Sequence, residues 1–84
     1  MAEREIGVVT HYFGKVGVGI ILLNDTLAIG DTIRIKGTHN DFTQTIESMQ
    51  LDHVSVQRAE RGAAVGTKVA QKVHEHDKVY KVEP

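Results

Sequence analysis

The 84-residue chain contains no cysteine and no tryptophan, and its one proline, Pro84, is the last residue. Without cysteine, neither disulfides nor thiolate metal sites can stabilise it. The same absence fits a reducing, cytoplasmic setting. Long hydrophobic runs are missing too. The longest, Val16 to Leu23, is eight residues and includes two glycines, whereas a membrane helix needs about 20 apolar residues. The opening MAEREIGVV has no basic stretch followed by an apolar one, so it does not read as a secretion signal. Nor is there an excess of one charge: ten basic residues meet eleven acidic ones, for a formal net charge of −1. That balance argues against avid, sequence-independent nucleic-acid binding, which relies on many Lys and Arg contacts to phosphate. A local basic patch stays open, and the five histidines can add positive charge.

Eight glycines supply the punctuation that proline does not. Between them lie short runs rich in Val, Ile and Thr, the composition of strands. The first run is Glu5 to Phe13, with a hairpin turn expected at Gly14-Lys15, where glycine would supply a positive φ. Val16 to Leu23 follows, then turn formers Asn24, Asp25 and Thr26. Thr32 to Lys36 alternates Ile33 and Ile35 with polar residues, the pattern of a half-buried strand. Gly37 to Asp41 reads as a loop. Along Phe42 to Asp52 the apolar phase changes, with Phe42 and Ile46 even, Met49 and Leu51 odd. A one-residue shift moves side chains to the other face, so a bulge or sharp bend is expected near Glu47-Ser48. Val54 to Arg61 lacks alternation and reads as a helical turn ending at Gly62. Ala63 to Ala70 is a fifth strand, Gln71 to Asp77 a polar loop, and Lys78 to Val82 the last strand. Six strands without a helix of useful length predict one all-β domain over 1–84, core about 5–83, folded as a closed, largely antiparallel barrel. Closure would remove exposed sheet edges.

The chain also resembles a known barrel. The residues that carry the likeness are Ile6-Gly7-Val8-Val9, the hairpin around Gly14 and Gly17, Leu27-x-x-Gly30-Asp31-x-Ile33-x-Ile35-x-Gly37, and Ile46-Glu47-Ser48-Met49-Gln50. It continues with Ala59-x-x-Gly62-x-x-Val65-Gly66 and Asp77-x-Val79-Tyr80-x-Val82. In this order they resemble domain 2 of translational GTPases such as elongation factor Tu, and the small stand-alone proteins called elongation-factor-like. The chain is also similar to the C-terminal barrel of some collagenase-type peptidases. The translation resemblance implies contact with RNA or a ribonucleoprotein; the peptidase resemblance implies an accessory barrel docked on a separately encoded enzyme. Mechanically, Gly30 is expected at positive φ, Gly17 and Gly19 at a close approach or strand bend, Gly62 at the end of an irregular segment, and Gly66 at a second bend. No G-x-x-x-x-G-K-[ST] string is present, so no nucleotide site is expected.

Several constellations suggest chemistry. Gly14-x-x-Gly17-x-Gly19 is followed by a strand rather than the helix a phosphate-cradling loop requires, so turn roles are expected. His74-Glu75-His76-Asp77 offers metal-ligand types, but zinc usually takes three or four converging ligands, and a solvated loop explains the run. Asp52-His53 with Ser48 or Ser55 has the residue types of a triad. A triad is a geometry, and neighbours on a strand point to opposite faces. No catalytic, cofactor or metal residue is therefore expected, and the chain reads as non-enzymatic.

The candidate binding residues are His11, Phe13, Lys15, Arg34, Lys36 and His39. His11 and Phe13 share a face beside the Gly14 turn and Lys15, where rings beside a cation can stack on a base or anchor a protein. Tyr12, on the other face, reads as core. Arg34 and Lys36 lie on the wet face of their strand. With Arg58, Arg61, Lys68 and Lys72 they would form a basic patch, blunted by Glu60, Asp31 and Asp41. The main expectation is a translation-factor-like module that contacts RNA. The alternative is a protein-docking barrel for a peptidase-like enzyme. No membrane partner is expected in either case.

Overall fold

A computed structural model describes residues 2–83 and contains no helix among them. The strands are β1 (Ala2–Phe13), β2 (Val18–Leu23), β3 (Leu27–Ala28), β4 (Thr32–Lys36), β5 (Asp41–Thr45), β6 (Met49–Leu51), β7 (Val54–Ser55), β8 (Arg58–Ala59), β9 (Ala64–Lys68) and β10 (Lys78–Glu83). Every pairing is antiparallel. Eight strands form one sheet in the order β5-β4-β10-β1-β2-β9-β6-β7, and β3 pairs with β8 in a second.

This corrects the closed six-stranded barrel expected from sequence: the large sheet has two ends, β5 and β7, whose ladders do not meet. The chain passes from one end of the sheet to the other through Ile46, Glu47 and Ser48, the expected bend. The Ile46 amide donates to Asp31 O (2.8 Å) and the Ile46 carbonyl accepts from Gly30 N–H (2.8 Å). Ile46 is fully buried. Past the bend, β6 pairs with β9 through Met49↔Thr67 and Gln50↔Gly66. The seam between β5 and β9 is bridged by a side chain. The Gln44 amide donates to Lys68 O (2.8 Å) and accepts from Ala70 N–H (2.7 Å), the pair of bonds a neighbouring strand would make. Thr67 Oγ1 adds a bond to Ser48 O (2.7 Å).

The expected helical turn over Val54 to Arg61 is also corrected. Those residues form β7 and β8, because Val56 N–H donates to Met49 O and Gln57 O accepts from Ile29 N–H, bonds only an extended chain can reach. The hairpin between β1 and β2 turns on Gly17, at φ 68, rather than on Gly14; both Val16 and Gly17 amides donate to Phe13 O. Gly30 (φ 97) and Gly62 (φ 91) have the left-handed backbone for which glycine is suited.

The long β1 joins the two halves of the sheet. Its first part pairs with β10 and its second with β2, with register shifts between Glu5 and Gly7 and between Val9 and His11. The inner face carries Ile6, Val9, Ile21, Leu23, Leu27, Ile33, Ile35, Met49, Val65 and Val79, all buried. Val73 in the 71–77 segment joins them, so that stretch is a loop with an anchored middle rather than a wholly solvated one. Asp77 is buried as well. Its carboxylate accepts from His74 N–H (3.0 Å) and Asn40 Nδ2 (2.9 Å), which ties the 37–40 and 71–77 loops together ahead of β10.

Candidate docking face

The outer surface of the curved sheet has two unlike halves. Over β4, β5, β10 and the start of β1, it is charged and paired within itself. Arg34 forms a two-bond contact with Asp41 (Nε–Oδ1 2.6 Å, Nη2–Oδ2 2.7 Å) and reaches Glu3 (3.1 Å). Lys78 lies 3.9 Å from Glu5; on the inner side, at the rim of the core, Lys81 lies 3.2 Å from Asp31 and Arg4 3.0 Å from Glu83. The bonds to Asp41 and Glu3 hold the Arg34 guanidinium protonated far above neutral pH. Its bond to Asp41 lowers that carboxyl below its ordinary value. Arg34 thus has carboxylate partners on both sides and is not free to meet phosphate.

Over β2 and the adjoining part of β9 the outer surface is apolar, bordered by Gln50, Ser55 and Lys68. Alternation along β2 sends Gly19, Ile21 and Leu23 inward, so Val18, Ile20 and Leu22 face out. On β9, Ala64 and Gly66 face out between buried Val65 and Thr67. Phe13 (47%), Val16 (60%), Leu22 (43%) and Val54 (63%) are among the most exposed large apolar side chains of the described residues. They stand out because each lies on or beside this half of the sheet. A furrow of about 390 Å³ follows β9. Its floor is Ala64 and Gly66; Val18 and Ile20 form one wall; Gln50 and the Asp52-His53 turn form the other; Phe13 and Val16 lie at one end.

The far wall is held by a two-residue hairpin. Leu51 pairs with Val54, and both residues between them have positive φ, Asp52 at 52° and His53 at 67°. This is the left-handed turn whose twist suits a two-residue hairpin, made here without glycine. Asp52 and His53 therefore shape the rim of the furrow, and no side-chain hydrogen bond joins them to Ser48 or Ser55 among the described residues.

The structure separates the candidate residues named from sequence. His11 and Phe13 do share a face, with ring centroids 4.5 Å apart, and Phe13 lines the furrow. Lys15 is exposed in the neighbouring turn. Tyr12 packs against the core. Arg34 and Lys36 are on β4, which β10 and β1 separate from β2. His39 lies beside His74 (5.3 Å), while His11 faces Glu75 (3.9 Å), so the 71–77 loop stands between the two groups. The six residues do not form one surface. No group of three or more His, Asp or Glu is placed to hold a metal among the described residues, and His74 Nδ1 lies instead against Asn40 Nδ2 at 3.3 Å. The furrow residues Val18, Ile20, Ala64 and Gly66, and Leu22 beside them, were not singled out from sequence. Their signal was present: Val16 to Leu23 is apolar at odd and even positions alike, so neither face of β2 is built for water.

No family model matches the chain. Over 77 residues it is 43% identical to an uncharacterized protease of Methanocaldococcus jannaschii, an alignment that takes in 90% of this chain and 19% of the relative. The chain therefore spans about a fifth of the length of the curated relative it matches. Its fold is that of the C-terminal domain of a Geobacillus thermoleovorans protein assigned as a U32 peptidase. The TM-score is 0.89 at 20% identity, covering 95% of this chain and 93% of the other. The selenomethionine variant of the same domain superposes with a TM-score of 0.87, at 20% identity over 90% of this chain and 96% of the other.

Proposed function

We propose that the chain is a non-catalytic accessory domain of the kind found at the C-terminus of U32 peptidases, and that it docks through its apolar outer face onto a peptidase-like catalytic body. The observation that carries this reading is the two-sided surface: the charged half satisfies itself, while the furrow half leaves large apolar side chains in water. Contiguous exposed apolar surface of this sort marks interaction sites, and interface cores are poor in charge and rich in aromatic and aliphatic groups. The relatives support the choice of partner. A sequence relative is a protease with about four fifths of its length outside the aligned segment, and a structural relative is a peptidase's terminal domain. Neither relative supports the translation-factor resemblance. The RNA reading also loses its central cation, since Arg34 is held between Asp41 and Glu3. The lack of cysteine fits a reducing, cytoplasmic setting for this role.

The test is a binding titration of the chain against the M. jannaschii protease from which the matching segment has been removed. Saturable binding is expected, weakened at least tenfold by Leu22→Glu with the melting temperature of the chain unchanged. A parallel titration with a labelled RNA pool is expected to show no binding. RNA binding that falls steeply with salt and survives Leu22→Glu would overturn the docking reading.

A further inference from the structure

Gly66 sits in the middle of a regular antiparallel strand, paired to Ile20 on one side and Gln50 on the other. Glycine there weakens a strand, because it has the most backbone freedom to lose and no side chain to pack. The other mid-strand glycines of the sheet have local reasons. At Gly7 a Cβ would lie 2.7 Å from the Leu22 carbonyl oxygen, and at Gly19 it would lie 3.1 Å from Val73 Cγ2 in the core. Gly66 has neither a positive φ nor a backbone neighbour in the way. A Cβ would meet only Val18 Cγ1 at 3.3 Å and Ile20 Cδ1 at 3.4 Å, the ends of two side chains that face solvent and can yield by a few tenths of an ångström. The bend expected at this position is not made either, since β9 continues unbroken through it. The isolated fold therefore does not require glycine at its own furrow floor.

We infer that Gly66 is glycine because a bulky apolar side chain of the docked peptidase body seats over it, between the Val18–Ile20 wall and the Asp52-His53 turn. Glycine inside a strand marks a place where another group approaches closely. The walls stand two strand spacings apart, about 9–10 Å, and the floor of Gly66 and Ala64 leaves the depth between them open. A furrow with a small-residue floor, one aliphatic wall (Val18, Ile20) and apolar Phe13 and Val16 at its end takes a large anchor side chain, the arrangement that dominates binding energy at protein interfaces. Gln50, with Asp52 and His53, makes the polar rim, and its amide can hydrogen-bond the backbone that delivers the anchor. This inference rests on the docking reading and specifies its central contact.

The test joins this chain to the M. jannaschii protease in place of the relative's matching segment and follows the chain's melting transition, alone and joined. In the parent, joining is expected to raise the transition. Gly66→Ala and Ala64→Leu, which fill the furrow, are expected to abolish that rise. Alone, Gly66→Ala should melt at or above the parent temperature. If both filled variants keep the rise while Leu22→Glu loses it, the seated side chain is wrong and the docking face stands. If the parent shows no rise, or Leu22→Glu keeps it, the docking reading fails and this inference with it. If Gly66→Ala alone melts several degrees below the parent, the fold itself requires glycine and the inference is overturned.

Discussion

At the residue scale, the least replaceable positions are those where backbone and side chain meet without slack. Gly37 faces the Asp77 side chain so closely that a methyl group would overlap the carboxylate. Gly37→Ala is expected to cost about 1–3 kcal/mol through this overpacking, measurable as a lowered urea midpoint. Asp77→Ala removes the acceptor for both His74 N–H and Asn40 Nδ2. Asn40 Nδ2 keeps its bond to Lys72 O (2.7 Å), but His74 N–H is left unmet in a buried loop junction, at a cost of about 1–3 kcal/mol. A Gly37→Ala/Asp77→Ala double variant is expected to destabilise by less than the sum, because the overlap disappears with the carboxylate. The Arg34–Asp41 pair gives a pH signature. Asp41 has a lowered pKa when folded, so the pair's contribution is in place above the unfolded carboxyl value near 4. It is lost as pH falls through the lower folded value. In Arg34→Gln this acid-side loss of stability is expected to be smaller than in the parent, as followed by denaturation at stepped pH. Sequence alternation puts Arg34 on the wet face of its strand, with Asp41 a neutralising neighbour, and the structure agrees. The Glu3 contact, 31 residues away, depends on β1 and β4 both flanking β10.

At the scale of elements, alternation worked where one face is dry and one is wet. Thr32 to Lys36 is β4 to the residue, and the phase change across Glu47-Ser48 is where β5 gives way to β6. It failed over Val54 to Arg61. The strands there are two residues long and owe their shape to Met49 O and Ile29 N–H, partners supplied by other segments. The same limit explains the seam. Gln44 carries no local signal of its role, which depends on a distant strand: its amide bridges β5 to β9. Gln44→Ala is expected to cost about 1 kcal/mol or slightly more, from two hydrogen bonds. It should also raise amide exchange at Ala70 more than at Ile33 or Ile35, whose ladders lie within the sheet.

At the scale of the whole molecule, the buried set of Ile6, Ile21, Ile33, Ile35, Val65 and Val79 holds the curled sheet together. Ile33→Ala is expected to cost about 2–5 kcal/mol, and it should lower stability without altering the docking face. Leu22→Glu should do the reverse. That contrast separates the two faces of one sheet: β2 contributes Ile21 and Leu23 to the core and Ile20 and Leu22 to the surface that we propose meets a peptidase body.

The sequence by itself determined the all-β class, most strand positions, the turn glycines Gly30 and Gly62, and the absence of a nucleotide loop. These depend on local period and backbone freedom, which neighbouring residues set. Tertiary structure alone decided that the sheet stays open, that Arg34 is neutralised by Glu3 and Asp41, and that outer residues of β2 and β9 meet the end of β1 in one furrow. Each of these depends on which strands become neighbours, and strand adjacency is settled by burial of the shared core rather than by any stretch of chain read alone.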